Sequence, residues 1–200
     1  MHDPMAFTDA ENWSGGFYEL ALEIGDRDDE RLQRALTALW RAAAVTGCYP
    51  DRDREPADQV AVPGTVASLE EFGFLRGVAR PPLAGPVVCG CFATRIDDAE
   101  DWLTWYLPLG ALARADRRVG GFPFGPEGGA ESLTWRAPLD TWLAGVADEV
   151  FREVDFRLGL IGFELDHVTA AELDGEVPDE RWNGYLLPAD GQLGYTPASR

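Results

Sequence analysis

The feature that most constrains this chain is a change of hydrophobic period within its first quarter. Tyr18, Leu20, Leu22 and Ile24 alternate with Glu19, Ala21 and Glu23, the period of two that marks a half-buried strand over 17–24. After Gly25 the spacing turns helical. Leu32, Ala35, Leu36, Leu39 and Trp40 fall at i, i+3, i+4, i+7 and i+8, one apolar stripe on a helix over 28–43. Asp26 to Glu30 provide an N-cap and negative charge for the helix start. A strand and a helix that each bury one face must stack in layers. Val45 to Tyr49 reads as a second strand, completing a β-α-β opening.

Further along, the breaks come from proline, glycine and acidic turns. Pro50 to Gly64 reads as a solvated charged loop. Phe74–Ala79, Val87–Ile96 and Asp101–Leu107 are strand-like runs joined by connections short enough for hairpins, so an antiparallel meander is expected. Leu109 to Ala115 could form a short helix. Pro138 suits the first turn of a second long helix over 138–154, whose stripe is Leu139, Trp142, Leu143, Val146, Val150 and Val154. Phe156 to Leu165 is apolar on both faces apart from Arg157 and Glu164, the pattern of a covered central strand. The last segments, from Tyr185 through a turn at Asp190-Gly191 to Thr196, could close as a hairpin. The expected fold is therefore α+β: a two-layer sandwich with two main helices on one face of a mainly antiparallel sheet. Residues 1–16 read as an N-terminal tail and 17–200 as a single domain, irregular from about 166.

Composition excludes more chemistry than it suggests. All 17 basic residues are arginine, and only His2 and His167 stand against 35 acidic side chains. Lysine Schiff bases, P-loop lysines and multi-histidine metal sites are thereby ruled out. His167 beside Asp166 has no Gly-x-Ser-x-Gly elbow to serve, so no catalytic residue is assigned. The formal net charge of −18 disfavours nucleic acid and anionic membrane surfaces, leaving a basic or neutral protein as the expected partner. Neither a secretory signal nor an apolar run long enough to span a bilayer is present, and Cys48, Cys89 and Cys91 are too sparse for a disulfide framework. Cytoplasmic location is the expectation. Cys89 and Cys91 share a strand face with Gly90 between them, which reads as close packing, not as a metal site. Four carboxylates at Asp97, Asp98, Glu100 and Asp101 read as a solvated turn. No metal or cofactor is expected.

The candidate binding residues are aromatic and acidic. Seven tryptophans are many for this length, and Trp102, Trp105, Phe122, Phe124 and Trp135 concentrate around a Gly/Pro-rich loop from Gly120 to Pro126. Trp102 and Tyr106 alternate with Trp105, so one aromatic side should face away from the helices. Glu19 and Glu23 share the non-core face of the first strand and complete the candidate set. Three function classes fit. The first is a non-enzymatic acidic protein-binding module, such as an inhibitor or an immunity-type protein guarding against a basic toxin. The second is a small-molecule binding protein, or a carboxylate-dependent enzyme with an aromatic-lined pocket, and the third is a structural or assembly subunit.

Overall fold

A computed structural model describes residues 3–83, 85–95, 100–125, 128–166 and 168–200. Eight strands form one antiparallel sheet: β1 (Phe17–Asp26), β2 (Thr46–Tyr49), β3 (Leu75–Ala79), β4 (Val87–Arg95), β5 (Glu100–Pro108), β6 (Leu158–Phe163), β7 (Gly184–Ala189) and β8 (Gln192–Thr196). Among the described residues five α-helices accompany them: α1 (Asp29–Ala42), α2 (Val66–Phe72), α3 (Leu109–Ala115), α4 (Leu133–Phe151) and the single turn α5 (Ala170–Leu173). The strand order is β2-β3-β4-β5-β1-β6-β7-β8. The fold is thus the α+β arrangement that the two periods imply, with β3, β4 and β5 forming the meander and β7 and β8 the final hairpin.

Alternation on β1 sorts the molecule into layers. Tyr18, Leu20, Leu22 and Ile24 are fully buried on the inner face beneath α1 and α4, joined there by Leu103, Trp105 and Leu107 of β5 and by Cys89 and Cys91 of β4. Asp28 caps α1 by accepting from the amides of Glu30 and Arg31, so the acidic turn after Gly25 performs its expected task. Glu19, Ala21 and Glu23 face the opposite, outer side of the sheet.

Three expectations need correction. β2 does not complete a β-α-β unit with β1, since β3, β4 and β5 lie between them and β2 ends up at the sheet edge. Pro138 is not in the first turn of α4: the helix begins at Leu133, and the exposed proline sits inside it. The apolar stripe extends back to Trp135, and its packing outweighs the missing amide. Residues ahead of β1 are more than a tail, because Phe7 and Trp13 enter the main core and Asn12 is fully buried, bonding to the carbonyls of Asp3 and Ala6. No helix among the described residues is long and apolar enough to cross a membrane.

Candidate functional site

The outer face of the sheet is covered on one half and open on the other. A strap after β6 crosses the β1, β6 and β7 half, and Leu165, Val168, Ala170, Leu173 and Val177 pack on Trp102, Ala21, Leu158, Leu160 and Tyr185. The two glutamates of β1 fasten it. Glu19 Oε2 accepts from the amide of Leu165 at 2.9 Å and Glu23 Oε2 from that of Ala170 at 2.7 Å. Burial pushes the Glu19 carboxyl up to about 7, against the pull of the Leu165 amide and with a further push from the charge of Glu164. Glu23 is raised by burial too. The pair is on one face, as its spacing implies, but both carboxylates face the strap and not a solvent-filled cleft.

Over β3, β4 and β5 the same face carries an aromatic cluster over which the described residues form no strap. Tyr106 lies against Phe17 at 4.3 Å between ring centroids, Phe92 is 6.1 Å from Tyr106, and Phe74 is 5.4 Å from Phe92. The guanidinium of Arg76 sits over the Phe74 ring at 5.3 Å. Tyr106 is buried, Phe17 and Phe92 are half-buried, and Phe74 is 37% exposed. Gly90 makes this packing possible. A Cβ there would stand 2.3 Å from the Tyr106 ring, so only glycine lets that ring lie flat across β4.

A second aromatic assembly lies on the inner side, at the end of the sheet near β6. The Phe122 ring meets Trp135 edge-on at 5.1 Å and Phe163 at 5.7 Å, and Tyr18 is 5.7 Å from Trp135. Beside it runs a buried polar network. The Tyr18 hydroxyl donates to Asp140 Oδ1 at 2.5 Å and accepts from Arg136 Nε at 3.2 Å. Arg136 also donates to Ser132 Oγ, to the carbonyl of Arg200 and to the carbonyl of Trp182. Burial raises the Asp140 carboxyl to about 6, against the favourable pull of the Tyr18 hydroxyl and Arg136. Phe122, Pro123, Arg136, Phe163, Trp182 and Asn183 enclose a half-open hollow of about 300 Å³ here.

The sequence-derived residues are therefore scattered, and four of the five aromatic candidates are buried. Trp105 is fully buried beneath α4, Trp135 is fully buried on the inner face of α4 itself, Trp102 lies under the strap, and Phe122 is only 8% exposed as a wall of the hollow. The cause is simple: aromatic rings of this size are drawn into the two cores before any surface can be built from them. Phe124 is 92% exposed and alone of the five stands in solvent. The structure brings Phe122 and Trp135 together; it separates Trp102 from Trp105 by the thickness of the sheet. Phe74, Phe92, Arg136, Trp182 and Asn183 were missed. For Phe92 a signal existed in its alternation with Cys91, as Tyr106 alternates with Trp105, which puts both rings on the face away from the helices. Arg136 lies ahead of a helix read from Pro138, and Asp140, inside it, bears a charge whose buried partners Tyr18 and Arg136 come from outside that segment.

His2, His167, Asp97, Asp98 and Pro126 lie outside the described residues. The described residues contain no group of three or more His, Cys, Asp or Glu side chains able to hold a metal ion. Burial raises all three thiols, that of Cys48 to about 11. The chain matches no protein-family model, no curated protein and no solved structure.

Proposed function

We propose that this protein is a non-enzymatic binding module that holds a basic or neutral protein partner against the open half of its outer sheet face, as an inhibitor or immunity-type protein does. The observation that carries this reading is the cluster of Phe74, Phe92, Tyr106 and Phe17. It is a set of interlocked rings on a rigid antiparallel sheet, left half-open while the rest of that face is strapped over. Aromatic side chains lose little conformational entropy on binding and recur at the energetic centres of interfaces, as does an arginine placed like Arg76. The net charge of −18 favours encounter of the molecule as a whole with a cationic protein.

The test compares wild type with a Phe74→Ala, Phe92→Ala variant whose fold is checked by circular dichroism. Both are used as bait in extracts of the native host, and captured proteins are measured by quantitative mass spectrometry. A basic protein retained by wild type at low salt, and reduced about tenfold or more by the variant, supports the reading. Identical capture by both baits sinks it.

A further inference from the structure

The hollow beside Arg136 belongs neither to that open face nor to the strap, and its chemistry differs from both. Three of its lining residues, Phe122, Phe163 and Trp182, are aromatic and a fourth is Pro123; its polar lining residues are Arg136 and Asn183. Mostly apolar walls with a few convergent polar groups describe a small-ligand site, and a volume of about 300 Å³ is at the small end of such sites. The walls are already in place without a ligand. Phe122 is fixed edge-on by Trp135 and Phe163, and the Arg136 guanidinium lies 5.4 Å from its ring.

Donor accounting shows what the hollow lacks. A guanidinium has five N–H hydrogens, and four of those on Arg136 go to Tyr18, Ser132, Arg200 and Trp182. One hydrogen on Nη2 is left without a partner among the described residues. Arg136 is only 1% exposed, so that hydrogen meets little water. The half-buried amide of Asn183 makes no hydrogen bond to any described residue either. Asp140, the nearest buried carboxylate, is engaged by the Tyr18 hydroxyl and lines no part of the hollow. A cationic N–H without a partner on Arg136, together with the amide of Asn183 in the same lining, suits an anion with two acceptor oxygens, and three aromatic lining residues suit a flat apolar body.

We infer that the hollow formed by Phe122, Phe163, Trp182, Arg136 and Asn183 binds a small flat aromatic carboxylate. Its ring lies between Trp182 and the Phe122–Phe163 wall, and its carboxylate accepts from Arg136 Nη2 and Asn183 Nδ2. The site is independent of the partner surface proposed above.

The experiment uses the full chain labelled with ¹⁵N at its seven tryptophan indoles, titrated with 2-naphthoate and followed by NMR. A Trp182→Phe sample assigns the Trp182 signal. A saturable shift centred on Trp182, reduced in affinity about tenfold or more by Asn183→Leu and again by Trp182→Ala, is the expected result. The neutral methyl ester of the same ring should bind about tenfold more weakly or worse. Arg136 itself is left intact because it ties Tyr18 to the segment ahead of β7 and to Arg200 beyond β8. No saturable shift by about 5 mM overturns the inference. So do shifts spread over all the indoles, equal affinity in the folded variants, or equal binding of the ester.

Discussion

At the scale of the residue, the open aromatic cluster depends on an atom that is missing. Gly90 has no Cβ, and the Tyr106 ring fills the space where one would be. Gly90→Ala should therefore destabilise the protein by about 1–3 kcal/mol through overpacking, measured by chemical denaturation. In a Tyr106→Leu background the same substitution should cost much less, and an unchanged cost would mean that the glycine serves some other need. The sequence already pointed to close packing at Gly90 but could not name the ring that does it. Register names it, and register is not visible in a single strand: Gly90 pairs with Tyr106 only once β4 and β5 are aligned. Phe122 and Trp135 show the opposite case. Their residue types favoured a binding surface, yet the same bulk and apolarity make them core, and type alone does not choose between the two.

At the scale of the element, β1 and the strap are joined through carboxylates that burial makes reluctant to ionise. Glu19 has a folded-state value of about 7 against an ordinary 4.5, so the folded chain holds its proton more tightly than the unfolded chain does. The stability it contributes is whole below about 4.5 and is lost as pH rises through about 7. Glu23 acts in the same direction, with Glu100 and Glu172 adding repulsion and Arg157 offsetting part of it. Glu19→Gln keeps an acceptor for the Leu165 amide and removes the charge. The variant should lose most of the decline in stability between pH 5 and pH 8 and exceed wild type at the upper end, at up to about 1.4 kcal/mol per unit of pKa shift removed. Denaturation midpoints at both pH values decide it, and a slope equal to wild type would place the dependence elsewhere. Elements with a clear period, such as β1 and α1, were legible in sequence to within a few residues. α4 was not, because Pro138 is a strong start signal, and nothing local shows that packing of Trp135 and the Arg136 network extends the helix ahead of it.

At the scale of the whole molecule, charge is managed by arginines that each hold several carboxylates. Arg95 reaches Asp29, Glu70 and Asp101, and Arg157 reaches Asp26 and Glu100. With 17 arginines for 35 acids, such sharing leaves a large negative excess that opposes compaction. Raising salt from about 20 mM to about 0.5 M should therefore raise the melting temperature, since screening relieves more repulsion than it removes from these partly exposed ion pairs. A fall in melting temperature would show the ion pairs to dominate. The layer arrangement was readable because it follows from which residues are apolar and how often. The strand order was not, because sequence patterns report which face each strand buries and not which neighbour it takes.

That strand order sets a timetable. β2 to β5 are made consecutively, and the meander among them needs only short loops to close. β1 precedes the other seven strands of the sheet, yet both of its neighbours come much later: β5 begins at Glu100 and β6 at Leu158. Its pairing of Tyr18 with Phe163 joins residues far apart in sequence and carries a corresponding loop-closure entropy. The strand between β5 and β6 is thus the one that waits longest for its second neighbour on the ribosome, its inner stripe incompletely covered until α4 and β6 have followed.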